Sequence, residues 1–373
     1  MTLRQPPTGS AAASRWGRQM QQRRRRQSPA LQMTKPPFRR RNAAGGSRAM
    51  TDEPIATDPV ARIAVALRRH FVAHPGYDAA QELFRELWQK RLAELDLGQP
   101  SEGRGIAIIG ESGSGKTTAV RRILHQQAFA DTDPGELRWI SLRVPTPATQ
   151  KDLARAILRA LEFPIVRDST ASRMWDLVNF HLHLRKTWFV HLDEGQELGG
   201  RGSDTERAAV INALKSLMQI PDWPINLIVS GTPELHDLLA KDPQLSRRFF
   251  VVRFHPVTEL DARDDVLALL EHYAAFAELR LGADLADVEF IPRLIHAGRE
   301  QFGIIVEFLI GAISRALSAG RAELRCGDFA EFYAARTENA FGRNPFTAAD
   351  FRTVPTGRSQ LVDEPTPKPR RRR

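Results

Sequence analysis

Residues 106–118 read Ile-Ala-Ile-Ile-Gly-Glu-Ser-Gly-Ser-Gly-Lys-Thr-Thr, and this stretch decides the fold class. The apolar run Ile106–Ile109 is typical of a buried strand, and Gly110–Thr117 fits the pattern G-x-x-x-x-G-K-[ST]. Glycines let the backbone curl until several N–H groups point at one centre, and a following helix adds the positive end of its dipole. The stretch therefore predicts a phosphate-binding loop, or P-loop, between a strand and a helix.

The side chains of this loop suit ATP and a magnesium ion. We expect Lys116 to reach the β- and γ-phosphates and Thr117 to offer its hydroxyl to Mg²⁺. The predicted cofactor-binding residues are Gly110, Glu111, Ser112, Gly113, Ser114, Gly115, Lys116, Thr117 and Thr118.

Short apolar runs alternate with helical periodicity on both sides of the loop. Residues 58–97 are predicted to be helical, with a break at Pro75-Gly76. Strands are predicted at 103–109, 139–144, 187–192, 225–230 and 251–255, and helices at 149–161, 171–185, 208–219 and from Pro233 to Leu239. The alternation predicts an α/β fold with a parallel sheet flanked by helices, and the purely helical pattern from Thr258 to about residue 340 predicts a second, small helical domain.

The charge is unevenly distributed. The 373 residues include 54 Lys and Arg against 44 Asp and Glu, a net charge of +10, but residues 50–352 carry 36 basic and 42 acidic residues, a net charge of −6. We predict disordered basic segments at 1–57 and 341–373, because arginine blocks among Pro, Ser and Gly bury little apolar surface. These segments either bind nucleic-acid phosphates or are solvated without a function. For the N-terminal segment a further alternative is that translation starts at Met50, so that residues 1–49 are not made.

Membrane and secretory classes are not expected. The chain has no run of about 18 apolar residues, and Met1–Pro7 lacks the apolar core of a secretory signal. Cys326 is the only cysteine, so no internal disulfide can form, which fits a reducing compartment. We predict a cytoplasmic protein without a membrane partner.

A second motif ends the strand predicted at 187–192. Phe189–Leu192 leads into Asp193-Glu194, which matches a Walker B element although His191 interrupts its apolar run. Asp193 is expected to hold Mg²⁺, and Glu194 to act as general base on the attacking water. Because strand residues alternate between faces, His191 is expected to pack within the sheet and away from the nucleotide.

The next strand should lie beside the P-loop strand and end in a residue that contacts the attacking water or the γ-phosphate. Ser230 and Thr232 both qualify for this sensor 1 role, and an N-cap for the following helix is the alternative for Thr232. Further on, Arg248, or alternatively Arg247, is expected to reach the γ-phosphate of a neighbouring subunit as an arginine finger. Two ordinary surface arginines are the alternative to a finger.

These motifs together resemble those of a known superfamily. Gly110–Thr117, Asp193-Glu194, Ser230–Thr232 and Leu245–Phe249 resemble the Walker A, Walker B, sensor 1 and arginine-finger order of AAA+ ATPases. Ser-Gly-Thr-Pro-Glu-Leu at 230–235 is similar to the sensor region of the TniB/TnsC group of transposition proteins. The resemblance implies an AAA+ P-loop NTPase fold with the nucleotide-binding domain at 58–256 and a helical lid at 257–340.

The resemblance also implies partners. It implies an ATPase that assembles as a homo-oligomeric ring or filament on double-stranded target DNA and recruits or activates a transposase. The candidate DNA contacts are Thr149, Lys151 and Arg155, for which an ordinary surface role is the alternative. Two other classes stay open, namely a different AAA+ ATPase (secretion-associated or initiator- and loader-like) and a nucleotide-binding scaffold without useful hydrolysis.

Overall fold

The computed structural model describes residues 58–126, 133–165, 169–200, 203–337 and 343–356. It divides into two compact units. The sheet unit comprises residues 72–258 and 298–306, and the helical unit comprises the remaining residues. The predicted extension at 1–57 lies outside the described residues.

The sheet unit is built on five parallel strands in the order β2-β3-β4-β1-β5. Their bounds are Gly105–Ile109 (β1), Trp139–Arg143 (β2), Phe189–Asp193 (β3), Asn226–Gly231 (β4) and Phe249–Arg253 (β5). As predicted, β4 pairs with the P-loop strand β1. The register sets Arg143, Asp193 and Ser230 side by side at the carboxyl ends of β2, β3 and β4, the edge at which such sheets bind ligands.

Most helices of the sheet unit begin at a residue whose side chain accepts a hydrogen bond from one of the first N–H groups. Thr149, Thr170 and Ser203 cap three of them, and Ser203 forms a full capping box with Glu206. The helices are Pro75–Leu97 (α2), Lys116–Leu124 (α3), Gln150–Ala160 (α4), Ala171–Leu184 (α5), Asp204–Met218 (α6), Pro233–Ala240 (α7) and Pro243–Ser246 (α8).

One apolar cluster joins α4, α5 and α6 to the sheet. It includes Leu153 and Ile157 of α4, Val178 of α5, Leu214 of α6 and Val190 of β3, all fully or almost fully buried. Strands covered in this way are apolar on both faces, so their runs of Ile, Val and Leu identify a parallel sheet from the sequence.

The helical unit contains Pro59–Arg69 (α1), Glu259–Phe276 (α9), Phe290–Ala297 (α10) and Cys326–Thr337 (α12), together with the part of Phe302–Ser318 (α11) from Glu307 onward. We predicted α1 as part of the nucleotide-binding domain. It clusters here because the Tyr273 hydroxyl of α9 donates to the carbonyl of His70, whose ring packs on Phe276.

Two details of the helical unit differ from prediction. The region is not purely helical, because Arg280–Leu281 (β6) and Glu323–Leu324 (β7) form a short parallel pair. Residues 343–356, predicted as part of a disordered tail, are ordered: Phe346 and Phe351 are buried, and Arg293 donates to the carbonyl of Pro345 at 2.7 Å. The burial of these two phenylalanine side chains therefore orders a segment whose composition predicted disorder. Residues 357–373 lie outside the described part of the chain.

In the described residues, no single helix has both the length and the hydropathy needed to cross a membrane. The bent pair α10 and α11 meets that test only when the two are taken together.

Candidate functional site

The P-loop has the backbone that its glycines predict. Gly113 and Gly115 have φ values of +88° and +94°, in the left-handed region that favours glycine. Gly115 is the N-cap of α3, and no side chain caps that helix. The N-terminus of α3 therefore presents N–H groups and the positive helix dipole without a capping side chain.

Lys116 is turned back onto its own loop. Its ammonium group donates to the carbonyls of Gly110 at 2.6 Å and Glu111 at 2.8 Å, and to the hydroxyl of Ser114 at 3.3 Å. Burial lowers the pKa of Lys116, and the nearby carboxylates of Glu194 and Asp193 act in the opposite direction. The lysine is thus a charge held at the loop by weak carbonyl acceptors that an anionic ligand can replace.

Asp193 joins the P-loop helix to the neighbouring strand. The Thr117 hydroxyl lies 2.9 Å from Oδ2 of Asp193, and the Ser230 hydroxyl donates to Oδ1 at 2.6 Å. The start of α3 and the carboxyl ends of β3 and β4, which are far apart in sequence, thereby meet at one carboxylate. A hydroxyl that donates its proton keeps oxygen lone pairs, so Thr117 and Asp193 form a pair of hard oxygen ligands.

His191 belongs to the same network. Ser230 donates to Asp193, so the contact of 2.9 Å between Nε2 of His191 and the Ser230 oxygen requires an Nε2–H donor. Nδ1 then accepts from the Ser141 hydroxyl at 2.8 Å. The hydrogen bonds fix one neutral tautomer, and burial lowers the pKa of His191 to about 4. We predicted that His191 packs within the sheet. It is buried there, and it also supports the side chain that contacts Asp193.

The structure separates the two sensor 1 candidates. Ser230 is fully buried with its hydroxyl on Asp193. Thr232 is the N-cap residue of α7, and a hydrogen bond from its side chain lowers the pKa of Glu234. Of the two hydroxyls, only that of Ser230 contacts the Walker B carboxylate among the described contacts.

Glu194 stands at the turn that follows β3. It has a left-handed backbone with φ of +58° and caps the short 3-10 helix Gly195–Gly199. Its Oε2 accepts from Nε2 of Gln196 at 2.6 Å, and its Oε1 lies 4.0 Å from the guanidinium of Arg143. The carboxylate therefore follows Asp193 directly in the chain and is held by one neutral amide donor, with an exposed guanidinium at 4.0 Å.

The structure contradicts Arg248 as the arginine finger. Its side chain is buried and donates to Glu102 at 2.9 Å and to the carbonyl of Gln244 at 2.8 Å. A finger must extend from the subunit surface, and Arg248 is instead bound within its own subunit. The neighbouring Arg247, the alternative predicted from sequence, is exposed.

The candidate DNA contacts lie together at the N-terminal end of α4, where Thr149 is the N-cap residue and Lys151 and Arg155 lie in the first two turns. The Thr149 hydroxyl accepts from the N–H of Asp152 at 3.1 Å and donates to its carboxylate at 2.6 Å. Arg155 pairs with the same carboxylate at 2.8 Å, and Lys151 is half-buried. The structure thus gives Thr149 and Arg155 local partners in addition to the role predicted for them.

One contact to the P-loop has no counterpart in the predictions. A Cβ placed on Gly303 would lie 2.5 Å from the carbonyl of Gly113, and one placed on Gly113 would lie 2.6 Å from Ile304. Residues 298–306 therefore pack directly on the loop. Sequence spacing gives no signal for a contact across about 190 residues.

The residues present fit Mg²⁺ and a nucleoside triphosphate. The uncapped N-terminus of α3 and the positive-φ glycines suit phosphate oxygens, and Lys116 supplies charge. Thr117 and Asp193 would hold the metal ion, because a hydroxyl and a carboxylate are ligands that Mg²⁺ prefers.

Known proteins with this architecture are recognisable by structure and by sequence. The Orc1 protein of Aeropyrum pernix, solved in complex with DNA, superposes with a TM-score of 0.52 and 20% identity, covering 71% of this chain and 66% of that one. That likeness concerns the fold, which is the AAA+ type of parallel sheet flanked by helices. General secretion pathway protein A of Aeromonas hydrophila is 29% identical over 173 residues, which span 44% of this chain and only 29% of that protein.

The family assignment rests on the central part of the chain. The family described as bacterial TniB protein matches residues 62–259, a range that contains β1 to β5, the P-loop and the Asp193 network. This chain belongs to the bacterial TniB protein family.

Proposed function

We propose that this protein is a Mg²⁺-dependent ATPase whose nucleotide state controls its binding to double-stranded DNA and to a transposase. The observation that carries the enzymatic part is that the Thr117 and Ser230 hydroxyls both contact the Asp193 carboxylate, which lies near the ammonium group of Lys116. A P-loop alone binds phosphate, whereas this arrangement also supplies metal ligands and a candidate base.

Each residue has a distinct role in the proposed reaction. Lys116 exchanges its loop carbonyls for the β- and γ-phosphate oxygens, and Thr117 and Asp193 hold Mg²⁺. The bound Mg²⁺ supplies positive charge that offsets the charge developing on the phosphates. Glu194 accepts a proton from the attacking water, and Ser230 keeps the Asp193 carboxylate in place.

The DNA and transposase parts of the proposal rest on different support. The family is named for TniB, and the TniB/TnsC resemblance implies transposition. The solved Orc1 protein was in complex with DNA. Lys151, on the first turn of α4, is the proposed phosphate contact, and Arg247 is the proposed finger toward a neighbouring copy in a ring or filament. The cytoplasm is the proposed compartment.

A second candidate function has one observation in its favour. The similarity to General secretion pathway protein A is compatible with an AAA+ ATPase that remodels a protein complex. In that case nucleotide would change binding to a protein partner and leave DNA affinity unchanged.

The test measures DNA affinity and oligomer size of the purified protein with ATP, ADP and no nucleotide at one stated salt concentration. We expect ATP to raise both DNA affinity and oligomer size. The proposed finger of one copy contacts the γ-phosphate bound by its neighbour, so bound ATP favours assembly on DNA. Equal affinity in all three states would contradict the DNA part and favour the second candidate.

Two variants test the enzymatic part. Lys116→Ala should lose nucleotide binding, because the phosphate charge then has no buried cation. Glu194→Gln should bind ATP normally and hydrolyse it at least about 100-fold more slowly, since the amide cannot accept a proton. Rapid hydrolysis by Glu194→Gln would refute the assigned base.

A further inference from the structure

The side chain of Gln196 bridges two parts of the candidate site. Its Nε2 donates to Oε2 of Glu194 at 2.6 Å, and its Oε1 accepts from the backbone N–H of Thr232 at 3.2 Å. Glu194 follows β3 and Thr232 follows β4, so one amide connects the residues that follow the C-terminal ends of two neighbouring strands.

The two partners fix which way the amide faces. A carboxylate only accepts hydrogen bonds, and a backbone N–H only donates, so Nε2 must face Glu194 and Oε1 must face Thr232. Glutamate at this position could accept from Thr232 but could not donate to Glu194. Asparagine has the same groups on a side chain one methylene shorter. Glutamine is therefore suited to both contacts at once.

The surrounding backbone leaves room for this bridge. A Cβ on Gly231 would lie 2.6 Å from Oε1 of Gln196, and a Cβ on Gly195 would lie 2.3 Å from a methyl group of Val229. Glu194 itself has a left-handed backbone, which is unfavourable for a residue with a side chain and needs support from its surroundings. The bridge to Gln196 is one such support.

The bridge also leads to the P-loop. The carbonyl of Gly231, the residue before Thr232, accepts from the N–H of Gly110 at 3.1 Å. Gly110 is the first residue of the loop. A continuous set of contacts thus runs from the Glu194 carboxylate through Gln196 and the end of β4 to the start of the phosphate-binding loop.

We propose that Gln196 is a positioning residue for ATP hydrolysis. It holds the Glu194 carboxylate through Oε2 of Glu194 and leaves Oε1 of Glu194 to accept the proton of the attacking water. It also connects Glu194 to the C-terminal end of β4, which contacts the P-loop. This inference rests on the proposed ATPase function. It predicts that the contacts of Gln196 govern the rate of the chemical step and leave nucleotide binding unchanged.

The experiment compares three variants with the unmodified protein. Gln196→Met keeps the volume and removes both hydrogen bonds, and Gln196→Glu keeps the acceptor for Thr232 but places a second carboxylate against Glu194. Gln81→Ala is the matched control, because Gln81 of α2 donates to the Tyr77 hydroxyl at 3.1 Å within the same unit. The measurements are kcat and KM for ATP, Kd for a fluorescent ATP analogue, and amide hydrogen exchange of the peptide that contains Thr232.

For Gln196→Met we expect kcat to fall about 10- to 100-fold with KM and Kd within about twofold, because a misplaced base slows only the chemical step. Exchange at Thr232 should become faster in this variant. Gln196→Glu should lose kcat to a similar extent while Thr232 stays protected, and Gln81→Ala should change neither kcat nor exchange at Thr232.

Two results would overturn the inference. One is an unchanged kcat in Gln196→Met. The other is a fall in kcat together with a similar loss of affinity for the ATP analogue, which would assign Gln196 a merely structural role. A failure of the proposed function is recognised separately, because the unmodified protein would then hydrolyse no ATP, whereas the exchange measurement still tests the bridge to Thr232.

Discussion

At the scale of single residues, the site is a set of neutral hydrogen bonds arranged around two carboxylates. Ser230 and Thr117 contact Asp193, His191 supports Ser230, and Gln196 supports Glu194. Neutral donors orient a carboxylate without neutralising it as a buried ammonium group would. Both carboxylates can therefore interact with a cation or a proton when the ligand arrives.

A buried histidine away from the metal ligands gives a pH-dependent prediction. His74 caps α2 by accepting from the N–H of Gly76 at 3.0 Å, its ring stacks on Phe254, and burial lowers its pKa from 6.5 to about 4. The unfolded chain therefore takes up a proton first as the pH falls below 6.5, and folding stability contributed by neutral His74 is lost between pH 6.5 and 4.

We expect His74→Asn to make stability less dependent on pH, by up to about 1.4 kcal/mol per pH unit in that window. Asparagine is itself a good N-cap, so the cap is retained while the titrating group is removed. Urea unfolding at pH 7 and pH 5 measures the difference, with the exposed His125→Asn as control. Equal pH dependence in His74→Asn and the unmodified protein would show that His74 does not titrate in this way.

The two neighbouring arginines before β5 are expected to respond differently to substitution. Arg248→Ala should lower the free energy of unfolding by about 1–2 kcal/mol, because a buried side chain and its hydrogen bond to Gln244 are lost. Arg247→Ala, at an exposed position, should leave stability unchanged and slow hydrolysis. Urea unfolding and ATP turnover separate the two effects. Slow turnover with full stability in Arg248→Ala would restore Arg248 as the finger.

At the scale of elements, helix starts determine much of the local structure around the sheet edge. α3 begins without a side-chain cap, which keeps its N-terminus available to phosphate, whereas α4, α5 and α6 begin at capping hydroxyls. The helix that meets the proposed ligand thus begins without a side-chain acceptor for its first N–H groups, unlike α4, α5 and α6.

The N-terminus of α4 provides a prediction that separates structure from DNA contact. Thr149→Ala should cost about 1 kcal/mol of stability, because the N–H of Asp152 loses its acceptor, and Thr149→Ser should restore most of it. Thermal unfolding of both variants measures the cap. A loss of DNA affinity in Thr149→Ala without a loss of stability would instead identify the hydroxyl as a DNA contact.

At the scale of the whole molecule, the proposed finger acts between copies, so two inactive variants should complement each other. Lys116→Ala retains Arg247 but binds no ATP, and Arg247→Ala binds ATP but lacks the finger. Mixed in equal amounts, they should restore activity at roughly a quarter of the sites, because random neighbours then pair a bound nucleotide with an intact finger.

ATP turnover of the mixture measures this complementation, with each variant alone as control. Activity no greater than the sum of the separate variants would show that Arg247 acts within its own subunit or not at all.

The sequence by itself determined the P-loop, the Asp193-Glu194 pair, the parallel sheet and the pairing of β4 with β1. These follow from local rules: glycine spacing sets a loop, apolar runs set buried strands, and alternation with helices sets parallel connections. Predicted strand ends were within a few residues of those observed, because β-propensity changes gradually at the sheet edge.

Only the tertiary structure decided which side chains meet. It selected Ser230 over Thr232 at Asp193, placed Arg248 in the interior with Glu102, and brought Gln196 to Thr232. It also packed Gly303 onto the P-loop and ordered residues 343–356 on buried Phe346 and Phe351. Each outcome depends on distances between residues far apart in the chain, and these distances are set by the register and packing of the whole sheet, which no local pattern encodes.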